Sequence, residues 1–200
     1  MTLAFLHGVL LAFGLILPLG VQNVFVFNQG ALQKTFSRAL PVILTASLCD
    51  TLLISLAVLG VSVVVLSVAW LKTLLIVGGV IFLFYMGWNT WKAPVNNGEN
   101  GEGTSFSPRK QIAYAASVSL LNPHAILDTI GVIGTSSLAY TGSVKLAFAL
   151  ACILISWLWF IGLALAGRLT GKLDKSGHFL YVLNKISALV MWAAAIYLII

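Results

Sequence analysis

Two aspartates lie within apolar stretches that are long enough to cross a lipid bilayer. Asp50 falls inside Ala39–Val68 and Asp128 inside Ile112–Tyr140, and neither stretch contains a Lys or an Arg. Inserting an ionisable side chain at membrane depth costs several kcal/mol, so such residues usually serve the movement of a substrate or an ion. The alternative is a carboxyl that stays protonated or is shielded near a helix end. The sequence favours a pair of functional carboxylates.

Prolines and polar residues interrupt two apolar stretches in matching ways. Residues 17–23 read LPLGVQN and residues 122–128 read NPHAILD. An offset of 105 positions aligns Pro18 with Pro123, and the same offset aligns Asn23 with Asp128. Because proline removes an intrahelical hydrogen bond and clashes with the preceding turn, both helices are predicted to break at these prolines.

Each break is predicted to form part of a binding site. Gly20 permits backbone angles that other residues resist, and the half-helix that follows begins with free N–H groups, which attract an anion such as a carboxylate. Side-chain amides lie at the same depth, in Gln22, Asn23 and Asn122. The alternative is a pair of simple kinks whose amides bond to neighbouring helices.

Other candidate side chains have two interpretations each. His124, beside Pro123, either carries protons or donates to a substrate, or it is a packed, hydrogen-bonded histidine. Trp157, Trp159 and Phe160 either face a cation with their rings or pack against lipid.

The composition defines the class of protein. Only 8% of the 200 residues are charged and the mean hydropathy is +1.05, whereas a soluble domain has roughly 25% charged residues. The chain is therefore predicted to be a polytopic membrane protein. Its net charge of +6 does not indicate nucleic-acid binding, because the basic residues are scattered between apolar runs. The two cysteines lie in apolar segments without disulfide or metal-site spacing, and we expect no cofactor and no metal.

Six apolar spans are predicted, and each is long enough to cross the bilayer as a helix. The first lacks a basic residue before its apolar run and is about twice the length of a signal-peptide core, so it is interpreted as a retained helix. The spans are Leu3–Phe27, Leu40–Leu66, Leu71–Trp91, Gln111–Ser137, Val144–Leu165 and Phe179–Ile200.

The one hydrophilic loop, Lys92–Lys110, divides the chain into two halves of three spans. The predicted division is a first three-helix repeat over 1–91, a flexible cytoplasmic loop over 92–110 and a second three-helix repeat over 111–200. Since three spans per half is an odd number, the second copy is inverted relative to the first. Inverted repeats are typical of secondary transporters, whose binding sites lie at the repeat interface near the midplane.

Basic residues in the short loops predict the orientation. The loops after the first, third and fifth spans hold Lys34, Arg38, Lys92, Arg109, Lys110, Arg168, Lys172 and Lys175, and the opposite side holds only Lys72 and Lys145. The richer side is expected to be cytoplasmic, which places both termini outside.

Several motifs together resemble the LysE/ArgO family of basic amino acid exporters, from about Leu6 to the C-terminus without the 92–108 loop. They are Gly14–Asn23, the Cys49-Asp50 pair, Leu121–Thr129, Ser156–Leu165 and the Met191-Trp192 pair. The resemblance implies export of L-arginine or L-lysine across the cytoplasmic membrane, driven by protons or by the membrane potential, and no enzymatic activity. It also implies a small-molecule substrate, contact with membrane lipid and no nucleic-acid partner, and a homodimer is plausible.

In this interpretation Asp50 and Asp128 face the cationic group of the substrate, and the break after Pro18 receives its carboxylate. Because a cation and a proton compete for one carboxylate, the site meets the minimal condition for antiport. Three alternatives are an exporter of another amino acid or small cation, a channel-like pore, and a membrane-embedded enzyme that uses the aspartate pair.

Overall fold

The computed structural model describes residues 1–17, 20–61, 69–92, 106–120, 122–173 and 178–197, and every regular element in these ranges is helical. The α-helices are α1 (Thr2–Ile16), α2 (Val21–Leu32), α3 (Leu40–Leu56), α4 (Ala69–Lys92), α5 (Pro108–Leu120), α6 (Pro123–Asp128), α7 (Thr135–Ser137), α8 (Gly142–Leu173) and α9 (His178–Tyr197). A 3₁₀ turn spans Phe36–Ala39, the first π segment Ala57–Val61 and the second π segment Thr129–Gly134. The all-α prediction is confirmed.

Helical segments lie in all six predicted spans. Among the described residues, Phe36–Gly60 and Gly142–Leu173 are each long and apolar enough to cross a membrane, and α1 with α2 makes a third span if the bent pair is counted as one. The helices α4 and α9, of 24 and 20 residues, lie at the predicted third and sixth spans. The full count of six spans stays a prediction.

The predicted interruptions of the first and fourth spans are present. The helix α1 ends at Ile16, and α2 begins at Val21 after a bend of 80°. In the fourth span α5 ends at Leu120 and α6 begins at Pro123, in the first turn of a helix, where the missing N–H of proline costs nothing. Pro18 itself lies outside the described residues.

Helices from the two halves of the chain pack against each other. The broken first span, α1 and α2, runs along α8 of the fifth span, and α5 of the broken fourth span packs on α3 of the second. The remaining two, α4 and α9, form a pair. These contacts have the pattern that two exchanged halves would give, while the inverted repeat and its boundaries stay predictions.

The central helix α8 has two faces with four-residue spacing. Its buried face carries Phe148, Cys152, Ser156, Phe160 and Ala164, and its exposed face carries Leu146, Leu150, Leu154 and Leu158. Residues four apart lie on one side of a helix, so the leucines form an apolar stripe suited to lipid while the other face packs inward.

Small residues bring α2 and α8 into backbone contact. A Cβ atom on Gly167 would overlap the carbonyl of Phe27, and one on Gly30 would overlap the carbonyl of Ala164. Close approach through glycine and alanine is a common way for membrane helices to associate. The half-helix α2 is therefore fixed against α8.

Candidate functional site

A cavity of about 210 Å³ lies where the two breaks meet. Its polar lining consists of Gln22, Asn23, Asp50, Asn122, Asp128 and Thr129. Apolar side chains complete it, among them Ile54, Leu83, Phe160 and Met191. The structure therefore gathers six predicted site residues around one cavity, namely Gly20, Gln22, Asn23, Asp50, Asn122 and Asp128. Pro18 lies outside the described residues, and so do the side chains of Pro123 and His124.

The carboxylate of Asp50 is held by donors from two other helices. The amide Nε2 of Gln22 on α2 donates to Oδ1 at 3.2 Å, and Oγ of Ser156 on α8 donates to Oδ2 at 2.8 Å. Each oxygen thus accepts one hydrogen bond from a neutral group. These contacts fix the orientation of the carboxyl group, and neither donor carries a charge.

Asn23 is engaged by the protein at both ends of its side-chain amide. Its Nδ2 donates to the carbonyl oxygen of Ile16 at 2.8 Å, and its Oδ1 accepts from Nε1 of Trp159 at 3.3 Å. The side chain lines the cavity while it connects α1, α2 and α8.

The two half-helices start next to the cavity. The Gly20 carbonyl accepts the first hydrogen bond of α2, from the N–H of Val24 at 3.1 Å, and the Asn122 carbonyl accepts that of α6, from the N–H of Ile126 at 3.1 Å. The N–H groups of Val21 and Gln22 precede the first bond of α2, and both residues line the cavity. The positive end of the α2 dipole is therefore at the cavity wall.

Asp128 lies at an irregular point of the second half. It is the last residue of α6, directly before the second π segment, and it lines the cavity together with Thr129. Single π turns inside helices are rare and occur often at functional sites, because the wider turn re-aims the side chains around it. Asp128 thus lines the cavity from the end of a regular helix, where a π turn begins.

The prediction that Gly20 provides unusual backbone angles is wrong. Its φ of −74° and ψ of 174° are extended values that any residue adopts. The chain leaves the break extended, so no left-handed turn is required there. No atom of the described neighbours lies within 4 Å of a Cβ built on Gly20. Since Gly20 lines the cavity, its missing side chain contributes open space.

Sequence reasoning missed the role of Ser156 and left the aromatic residues of the fifth span undecided. Phe160 is 1% exposed and lines the cavity. Trp159 bonds to Asn23, and Trp157 donates to Oγ1 of Thr51 at 3.0 Å. The four-residue spacing from Cys152 to Ala164 was the available signal, since it places Ser156 and Phe160 on one buried face.

A helical membrane bundle whose broken helices meet at a polar cavity has the architecture of a secondary transporter. The chain belongs to the family described as LysE type translocator, which it matches over residues 13–200. It is a membrane translocator and not an enzyme.

Named relatives are similar along almost the whole chain. The putative amino-acid transporter YisU of Bacillus subtilis (strain 168) is 61% identical over 194 residues, which cover 97% of this chain and 88% of that protein. The arginine exporter protein ArgO of Salmonella typhi is 35% identical over 196 residues, covering 96% and 90%. ArgO of Pectobacterium carotovorum is 33% identical over 201 residues, covering 99% and 97%. No solved structure matches this chain.

Proposed function

We propose that the protein is a secondary active exporter of basic amino acids, L-arginine or L-lysine or both. The observation that carries the proposal is one cavity lined by two aspartates and by the N-terminus of a half-helix. A basic amino acid has an α-carboxylate and two cationic groups, the α-ammonium and the side chain. Two aspartates and a helix N-terminus complement these charges. The similarity to proteins named arginine exporters supports the proposal.

The cationic group of the substrate binds to the aspartates. Asp50 is preorganised, because Gln22 and Ser156 hold both of its oxygens without neutralising them. In a site that excludes water, a charge-assisted hydrogen bond to an ammonium or guanidinium group is about twice as strong as a neutral one. Asp128 supplies the second negative charge from the opposite half of the chain.

The carboxylate of the substrate binds at the start of α2. The N–H groups of Val21 and Gln22 form the positive end of the α2 dipole, and both residues line the cavity. Helix N-termini are common sites for anions. The open space at Gly20 lets the carboxylate approach the backbone closely. The two ends of the substrate are thereby distinguished.

Export is coupled to protons or to the membrane potential through the same aspartates. A bound cation and a proton both neutralise a carboxylate, so loading of one favours release of the other. His124, one residue after Pro123, is the proposed additional proton carrier. Exchange at one site is sufficient for antiport.

The proposed location is the cytoplasmic membrane, with both termini outside and residues 92–110 inside. The orientation is tested by replacing Asn97 with Cys in a variant that lacks Cys49 and Cys152. An impermeant maleimide should label this thiol in broken cells and not in intact ones. Efficient labelling from outside would overturn the orientation.

The substrate is tested with the purified protein in proteoliposomes. We expect saturable exchange of radiolabelled arginine and lysine, and little exchange of citrulline, which has nearly the shape of arginine without its charge. The Asp50→Asn/Asp128→Asn double variant is the matched control and should equal empty liposomes. Equal transport of citrulline would indicate an exporter of neutral amino acids, and flux that does not saturate would indicate a pore; either result overturns the proposal.

A further inference from the structure

Trp159 contacts both sides of the break in the first span. Its ring lies edge-on to Phe13 of α1, with centroids 5.7 Å apart and planes at 88°, and its indole N–H donates to Asn23 of α2. Asn23 in turn donates to the carbonyl of Ile16, the last residue of α1. These contacts form a closed chain from α1 through α8 and α2 back to α1, across a bend of 80°.

These contacts provide a hydrogen-bond partner for a backbone carbonyl that the break exposes. A helix leaves its last carbonyls without intrahelical partners, and a membrane interior offers no water to replace them. The Asn23 amide supplies a donor to the Ile16 carbonyl from the next helix. In a continuous α1–α2 helix the N–H of Gly20 would donate to the Ile16 carbonyl, so the bond from Asn23 replaces one that the break removes.

We propose that Trp159 and Asn23 are positioning residues that hold α1 and α2 at their angle and so place Gly20, Val21 and Gln22 in the cavity wall. Trp159 does not line the cavity, and its N–H acts through Asn23. The inference rests on the proposed function, because it assigns to this pair the geometry of the half-helix that receives the substrate carboxylate.

Trp157, two residues before Trp159, provides a matched control. Trp157→Phe and Trp159→Phe make the same chemical change on the same helix, and each removes one indole hydrogen bond. The partner of Trp157 is Thr51, which is not in the cavity lining. Phenylalanine at 159 keeps a ring to pack against Phe13.

The test is arginine exchange in proteoliposomes at equal amounts of folded protein. Trp159→Phe should raise the KM for arginine about three- to tenfold, the range of one lost hydrogen bond, with a smaller change in the saturating rate. Trp157→Phe should stay within about twofold of wild type. Asn23→Ala should raise the KM at least as much as Trp159→Phe, and adding Trp159→Phe to it should change nothing more, since both act through one contact.

A KM in Trp159→Phe equal to that of Trp157→Phe, or additive effects in the double variant, would overturn the inference. A loss confined to the saturating rate would indicate a merely structural tryptophan and would overturn it too.

A second measurement does not depend on transport. Nitroxide labels at Leu10→Cys and Leu32→Cys, both exposed, report the angle between α1 and α2 in a variant without native cysteines. The distribution of distances between the two labels should broaden in Trp159→Phe and not in Trp157→Phe. Unchanged distributions in both variants would contradict the positioning role of Trp159. If the wild type does not exchange arginine, the proposed function fails. The distance measurement alone then tests whether Trp159 holds the angle between α1 and α2.

Discussion

The two broken spans reach the same cavity but are held in different ways. At the first break α2 packs backbone to backbone on α8, and Asn23 ties it to α1 and α8 by hydrogen bonds. The second break leads into the six-residue α6 and the second π segment. There Ile126 and Ile130 pack with Leu53 and Ala57, and Ile133 packs in a second apolar cluster with residues of α1, α3 and α8. We call the side of the cavity formed by α2 on α8 the fixed wall. The opposite side, formed by α6 and the second π segment, consists of irregular turns.

The two breaks differ in where their helices start and in the side chains they carry. The offset that aligns Pro18 with Pro123 does not align the helix starts, since α2 begins three residues after its proline and α6 begins at Pro123. It does align Asn23, which braces the break, with Asp128, which lines the cavity at a π turn. A similar backbone break thus supports an amide brace in one half and a charge in the other.

The largest effect is expected when this difference is removed. Asp128→Asn gives the second half the side chain of the first and keeps its size. Exchange of arginine should fall about a hundredfold or more, because a buried cation loses its counter-charge. Transport assays at matched protein abundance check this, and parental rates would mean that Asp128 is only a structural hydrogen-bonding group.

Glycine substitutions test the contrast between a fixed wall and irregular turns. Gly167→Ala should cost about 2–3 kcal/mol of stability, because its Cβ would overlap the carbonyl of Phe27. Gly131→Ala in the second π segment should stay within about 0.5 kcal/mol, since its Cβ meets no described atom within 4 Å. Melting temperatures in detergent compare the two, and equal values would contradict the close α2–α8 packing.

Ser156→Ala tests whether the fixed wall also orients the carboxylate of Asp50. Loss of this hydrogen bond to a charged group should raise the KM for arginine about tenfold. Ser156→Thr keeps the hydroxyl and should retain most of the affinity. Ser119→Ala is the control, because it removes a buried hydroxyl that donates to the Ala115 carbonyl and does not line the cavity. An equal rise of the KM in Ser119→Ala would mean that Ser156 does not act through Asp50.

The last test concerns Gly20, at the first break itself. Gly20→Ala should leave the melting temperature unchanged or stabilise the fold by about 0.4–1 kcal/mol, since its backbone angles suit alanine. Its methyl group would occupy cavity space, so affinity for arginine should fall while stability does not. A drop in melting temperature would show that the conformation of Gly20 is under strain.

Residue type and chain position predicted most of this site. Prolines with amides close in sequence located both breaks, and an ionisable residue within an apolar stretch singled out Asp50 and Asp128. All the predicted site residues whose side chains are described line one cavity. These features could be predicted because a helix break and an ionisable side chain each cost free energy in lipid. The residues that produce them therefore stand out in an apolar sequence.

The contacts of Ser156 and Trp159 were not predictable in the same way. Serine and tryptophan are ordinary in membrane helices, and their roles depend on how α8 is rotated against α2 and α3. That rotation is set by small residues such as Gly167 and Gly30, whose partners in space the sequence does not name. The prediction for Gly20 was wrong for a related reason, since its backbone angles depend on the direction in which the chain leaves the break.

The length of α8 has a consequence for the lipid around it. Its 32 residues extend about 48 Å, whereas the hydrocarbon core is about 30 Å thick. The helix must therefore tilt and also project, carrying Arg168 and Lys172 toward the headgroups. The same helix carries Ser156, Trp159 and Phe160, so we expect a change in its tilt to move the wall of the cavity. We therefore expect the exchange rate in proteoliposomes to depend on the acyl-chain length of the lipid.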